Sequence, residues 1–286
     1  MNIKKLATTC LILCVAASAL AQDDRFVSVT IETVPVTGNI SMLIGSGGNI
    51  GVSTGSDGLL IIDDQYGPLA AKIRAALSQL RSDTPKFLLN THFHGDHTGG
   101  NADFGVASII IAHENVRGRL VAGDSPGSAL PVITFDEDVT VHFNGENITL
   151  IHMPRGHTDT DSVVMFEESN VIDMGDHFFN GGFPFVDLAS GGTVQGYISN
   201  LEKALSWIDD DTSVIPGHGP LGTKADLLAF YNVVKDTSTT IRVMKSQQMS
   251  AAEAVSEGLG DEYESWGQGF INEQRWIETV FASYPR

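Results

Sequence analysis

Within six residues, His92-Phe93-His94-Gly95-Asp96-His97, the chain places three imidazoles and a carboxylate. A chain with 9 histidines among 286 residues reaches that pattern by composition about once in a thousand chains, so coincidence is a poor account of it. Phe87-Leu88-Leu89 just before it reads as a short apolar strand, and the glycines that follow let the chain turn tightly. In extended backbone His92 and His94 project to the same side, so both rings can reach one metal ion. Asp96 and His97 lie a step further on and can hold a second ion. Imidazole and carboxylate without thiolate suit zinc first, with iron or manganese as alternatives.

The rest of the chain sets the context. Residues 1–21 read as a secretory signal: Lys4 and Lys5, an apolar run from Leu6 to Ala17, then Ala19-Leu20-Ala21 as a small-x-small cleavage site. The expected location is periplasmic or secreted, with one domain over residues 22–286. Both cysteines, Cys10 and Cys14, lie in that leader, so the remaining chain has neither a disulfide nor a thiolate ligand. Bulky Ile12 and Leu13 before Cys14 speak against a lipid anchor, and no later segment is long and apolar enough to span a bilayer. Losing the two leader lysines takes the formal charge from −18 to −20. So acidic a chain is repelled by phosphate backbones and anionic lipids, which argues against nucleic-acid or membrane-surface binding.

Alternating strand and helix signals predict a layered α/β domain. Strands are expected at Phe26–Thr33, Leu59–Ile62, Phe87–Leu89, Ser108–Ala112, Asn147–Met153, Ser162–Phe166 and Val171–Met174. A glycine-rich hairpin with an exposed tip is expected from Gly38 to Gly51, around Ile40, Met42, Leu43 and Ile44. Pro68 opens a helix, and further helices are expected at Val194–Ile208, Ala225–Lys245, after the Ser250-x-x-Glu253 capping box, and from Phe270 to Ala282. The apolar stripe of the last helix reads as core packing.

The segment His92-x-His94-x-Asp96-His97 resembles the principal motif of the metallo-β-lactamase superfamily, and later elements follow in order. Pro154-Arg155-Gly156-His157-Thr158 resembles its third-histidine motif, Met174-Gly175-Asp176 its bridging-ligand strand end, and Pro216-Gly217-His218-Gly219 its final histidine motif. Leu60-Ile61-Ile62-Asp63 resembles the early strand whose aspartate supports the metals from behind. The resemblance implies an αββα sandwich with two metal ions, zinc by preference. His92, His94 and His157 would hold the first, Asp96, His97 and His218 the second, and Asp176 would bridge them. Two close dications lower the pKa of a water between them and polarise a carbonyl, with Asp96 orienting that water and passing its proton on. His113, His142 and His152 match no motif position, and His177 is a candidate for the pocket wall.

Two features bear on substrate. Asp176 stands where the cysteine-bearing lactamases of the superfamily have their thiolate, and resembles instead the lactonases and glyoxalase II-type thioesterases. No Lys or Arg occurs from Gly156 to Glu202, while His177–Phe185 is rich in phenylalanine. Ile40, Met42, Phe178, Phe179, Asn180 and Phe183 are therefore candidates for a pocket that takes a small, neutral or apolar molecule. The expected activity is an exported dinuclear zinc hydrolase opening amide or ester bonds, with β-lactam-like cyclic amides first. A lactonase or thioesterase of the same fold, or a mononuclear iron sulfur oxygenase, is the alternative.

Overall fold

A computed structural model describes residues 25–284, so the secretory-signal segment lies outside the described residues. Two sheets stack face to face. The first runs in chain order, β1 (Glu32–Thr37), β2 (Ile40–Ile44), β3 (Ile50–Gly55), β4 (Gly58–Ile62), β5 (Pro85–Leu89), β6 (Ile109–His113), β7 (Ile133–Phe135). It is antiparallel as far as β4 and parallel beyond it, because helices connect the later strands. The second has the order β13-β12-β11-β10-β9-β8, built from β8 (Asp138–Phe143), β9 (Glu146–His152), β10 (Ser162–Phe166), β11 (Val171–Asp173), β12 (Ser213–Ile215) and β13 (Gly222–Thr223).

The continuous apolar run of β4 is explained by burial on both faces. Leu60 and Ile62 point between the sheets, where they meet Ile148, Leu150 and Phe166. Leu59 and Ile61 point outward to α1 (Ala70–Leu80), against Ile73 and Leu77. The outer face of the second sheet, Val163, Ile172 and Val214, is covered by α5 (Val194–Leu205), α6 (Lys224–Ser246) and α8 (Glu273–Ser283). Shorter helices are α2 (Gly95–Thr98), α3 (Asn101–Phe104), α4 (Glu114–Ala122) and α7 (Ala251–Glu257). The architecture is the αββα sandwich expected from the sequence.

Three local expectations fail for physical reasons. Residues 25–27 are helical rather than extended, and the strand begins only at Glu32. The Lys72 ammonium donates to the carbonyls of Phe26, Val27 and Val29, and Phe26 is buried against α1, which favours a turn over a strand. Ile40 and Met42 do not line a pocket. Both lie on β2 inside the first sheet and face the inter-sheet core, so they are fully buried. The last helix starts at Glu273, capped by the Asn272 side chain, and leaves Phe270 in the preceding loop, 75% exposed. Its stripe is core as expected: Trp276, Ile277 and Val280 are buried, and the Trp276 indole donates to Thr237 Oγ1 at 2.8 Å.

Candidate metal centre

The parallel strands of the first sheet and the central strands of the second end at one edge, and the loops leaving them carry every motif residue. β5 runs out through Asn90, whose amide pairs reciprocally with that of Asn101, fixing the exit of the strand. His92 follows in the loop, His94 is the N-cap of the single-turn helix α2, and Asp96 and His97 lie in that turn. His157 comes from the loop after β9, Asp176 from the turn after β11, and His218 from the loop after β12. Residues 92, 157, 176 and 218 are brought together over 126 positions of chain.

Their ligand atoms converge in two groups, each spanning no more than 4.8 Å: His92, His94, His157 and Asp176, and Asp96, His97 and His218. The carboxylate of Asp176 joins them. Its Oδ2 faces His157 Nε2 at 3.3 Å and His92 Nε2 at 3.9 Å, while its Oδ1 faces His97 Nε2 at 3.0 Å and His218 Nε2 at 3.3 Å. Asp96 Oδ2 lies 3.5 Å from His218 Nε2 and 3.9 Å from His97 Nε2.

Hydrogen bonds behind the rings set their tautomers. His97 Nδ1 donates to Asp63 Oδ2 at 2.7 Å, and His157 Nδ1 to the Phe185 carbonyl at 2.7 Å. The Thr91 hydroxyl spends its proton on Asp63, so it is left to accept from His92 Nδ1 at 3.1 Å. His94 is reversed: its Nε2 donates to Asp187 at 3.1 Å, which turns Nδ1 inward. Two bare ring nitrogens, His94 Nδ1 and His157 Nε2, then face each other at 2.8 Å, a repulsive pairing that a shared cation relieves. His92 Nε2, His97 Nε2 and Asp176 Oδ1 are likewise buried without a hydrogen-bond partner among the described residues. Buried polar atoms without partners are costly, and here they share one small space. The nitrogen and oxygen donors fit a pair of divalent ions.

The electrostatics agree. Burial holds His157 down to about 4 and His92 well below the usual range, so both rings are neutral and available as ligands. Burial also opposes the charge of Asp176, but His218, His97 and His157 around it overcome that and keep its carboxyl well below the usual range. His97 is also desolvated, yet the carboxylates of Asp176, Asp96 and Asp63 hold it protonated well above the usual range. Asp63 stands behind His97, its two oxygens taken up by Thr91 N, Thr91 Oγ1 and His97 Nδ1. Two glycines make the crowding feasible. A Cβ on Gly48 would fall within 2.1 Å of the His97 ring, and one on Gly217 within 2.3 Å of Asp176 Oδ1.

Above this floor opens a cavity of about 660 Å³. His94, Asp96, Asp176 and His218 reach it, with Phe179, Asn180 and Phe183 on the wall. Phe178 is not on it. The backbone turns it the other way, fully buried against Phe230. His177 is also inside, stacked on Tyr197 and near the Asn200 amide, with burial holding it down to about 3. His113 and His152 stack on each other away from the site, and His142 is exposed beside Asn147. The sequence did not single out Arg25, Ser46, Gly47, Tyr66, Phe185 or Phe270 on the wall, nor Thr91 and Asp187 behind the histidines. Most come from segments with no motif of their own. The tip of the 38–51 hairpin, expected to be exposed, is half-buried at Ser46 and Gly47, which line the cavity.

Comparison with known proteins agrees with this geometry. A hydroxyacylglutathione hydrolase from Polaromonas sp. is 34% identical over 46% of this chain and 47% of its own length. Lactamase-like protein aptB from Emericella nidulans is 27% identical over 66% of this chain and 60% of its length. An atrochrysone carboxyl ACP thioesterase from the same fungus is 31% identical over 48% and 41%. The chain thus spans about half the length of these curated relatives. Among solved structures, a metallo-beta-lactamase from Pontibacter korlensis superposes with a TM-score of 0.63 at 16% identity, covering 72% of this chain and 99% of the other, which shows the shared fold. The family model of the metallo-beta-lactamase superfamily matches residues 37–218, from the first hairpin to the last histidine of the centre, and the chain belongs to that superfamily.

Proposed function

We propose that this protein is a dinuclear zinc hydrolase of acyl bonds, cleaving esters, thioesters, lactones or strained cyclic amides whose acyl part is apolar. The observation that carries this reading is Asp176, with one oxygen turned to each cluster at the floor of an aromatic-walled cavity. The second set of donors, Asp96, His97 and His218, favours two ions over one. Two dications held there would supply a water of lowered pKa and polarise the attacked carbonyl. Asp96, which reaches the cavity, is placed to accept a proton from the attacking water and to pass it to the leaving group. Asp63 and Asp187 hold His97 and His94 in the tautomers this requires. Phe179, Phe183 and Phe185 keep bulk water off the acyl side.

A carboxylate rather than a thiolate at position 176 favours oxygen and thiol esters over β-lactams. Two relatives named for thiol-linked acyl substrates, a hydroxyacylglutathione hydrolase and an ACP thioesterase, point the same way. Export follows from the reading of residues 1–21 as a secretory signal, and cell fractionation with N-terminal sequencing near Gln22 tests it. The hydrolase reading is tested with a thioester, an aryl lactone and nitrocefin, on protein of quantified metal content beside Asp96→Ala. Turnover of at least one substrate with two zinc per chain, lost in Asp96→Ala, is expected. No turnover above the metal-free protein overturns the proposal.

A further inference from the structure

The sequence stretch that closes the aromatic side of the cavity lacks lysine and arginine, but the folded wall does not. Arg25 lines the cavity and is its sole lysine or arginine among the described residues. It lies 67 to 72 positions before the principal motif and arrives there through the unexpected helical turn at residues 25–27. That turn is built to hold it. Phe26 beside it is 3% exposed in the core against α1, and the Lys72 ammonium ties down three carbonyls at 2.6–2.8 Å. The Arg25 guanidinium lies 4.3 Å over the Phe26 ring and 4.9 Å over that of Tyr66. Stacking restrains a guanidinium without using up its N–H groups, and Arg25 is exposed and lines the cavity.

The two sides of the cavity therefore differ. Arg25, Tyr66 and Gly47 belong with Asp96, where the unprotected Cβ position of Gly47 would touch the Asp96 backbone. Phe185 packs over His94, with Phe270 edge-on beyond it. Arg275 lies over both of those rings, 5.5 Å from Phe185 and 5.2 Å from Phe270, and backs the aromatic side. The whole chain has a formal charge of −18, so its surface as a whole opposes the approach of an anion. A fixed guanidinium at the rim offsets that locally and matches a carboxylate in fork geometry.

We propose that Arg25 is a specificity-determining residue that binds a substrate carboxylate. The substrate is then an amphipathic acyl compound, apolar toward Phe185 and Phe270 and carboxylate-bearing on the Asp96 side. This rests on the hydrolase reading above for the chemistry, but not for the binding.

Two measurements separate them. The first compares turnover of the S-phenylacetyl thioester of 3-mercaptopropionate with that of 3-mercaptopropionamide, a matched pair differing in one charge. The zinc-loaded protein is expected to favour the carboxylate by about tenfold in kcat/KM, mostly through KM, the size of one charge-assisted hydrogen-bonded pair. Arg25→Met should bring the ratio near one, Arg25→Lys should keep part of it, and Lys72→Met should lower it about threefold by loosening the turn. The second measures calorimetric binding of 4-phenylbutyrate and 4-phenylbutyramide to metal-free protein, where no ion can hold the carboxylate. A preference for the butyrate that disappears in Arg25→Met upholds the subsite even if neither thioester is hydrolysed, an outcome that would count against the hydrolase reading alone. An unchanged carboxylate-to-amide ratio in Arg25→Met, in turnover or in binding, overturns the proposal.

Discussion

The two halves of the candidate metal centre are built to different standards. In the first, every imidazole is held from behind: His92 by Thr91, His94 by Asp187 and His157 by the Phe185 carbonyl. In the second, only His97 has such a partner, in Asp63, while His218 and Asp96 face the cavity with no hydrogen bond fixing their far atoms among the described residues. His157 is fully buried, whereas the His218 side chain is 30% exposed. Rings that are already fixed lose little conformational entropy when an ion binds, and rings that are free lose more. The first cluster should therefore take its ion more tightly, with the second ion the exchangeable one beside the substrate.

Asp176→Ala is the largest perturbation, because it removes the one group shared by both halves. Metal content should fall below one ion per chain and turnover by about a thousandfold or more, read by elemental analysis and the thioester assay. Two ions retained in this variant would break the comparison at its root.

Acid titration gives the next largest effect and separates the halves. A ring must be neutral to bind a metal. His97 holds its proton well above the usual histidine range in the metal-free protein, whereas His157 does not gain one until about pH 4. As pH falls, protons should therefore displace the second-cluster ion before the first. Metal content after dialysis at stepped pH should show a plateau near one ion per chain. Simultaneous loss of both would show that the halves are equivalent.

Smaller changes sharpen the picture. Thr91→Val removes the acceptor behind His92 and one contact of Asp63, and should weaken metal binding by about ten- to a hundredfold in a chelator competition. Asp187→Ala frees His94, which is already open to the cavity, and removes the acceptor for the Ala189 and Ser190 amides; its effect on metal binding should sit at the low end of that range. Phe270→Ala, on the exposed wall, should raise KM only a few-fold with metal content unchanged.

The contrast between floor and wall also explains what could be read without the fold. His92, His94, Asp96 and His97 are legible because one strand end and one helical turn deliver them together, and their spacing carries the chemistry. Leu59–Ile62 is legible because a strand buried on both faces has to be apolar throughout. The wall is not local. Ile40 and Met42 look like a hydrophobic hairpin tip, but pairing with β1 and β3 puts them inside the sandwich. Phe178 and Phe179 look alike in sequence, and only the strand-like alternation beside His218 decides that one is core and the other wall.

The sequence by itself determined the donor chemistry, several of the strands and the superfamily, since each depends on residue types at short spacing. Tertiary structure decided that Asp176 spreads its two oxygens between the clusters, that His94 alone turns Nδ1 inward, and that Arg25 reaches the rim. Those outcomes depend on where separate strand ends and one anchored turn meet in space, and no short-range pattern records such a meeting.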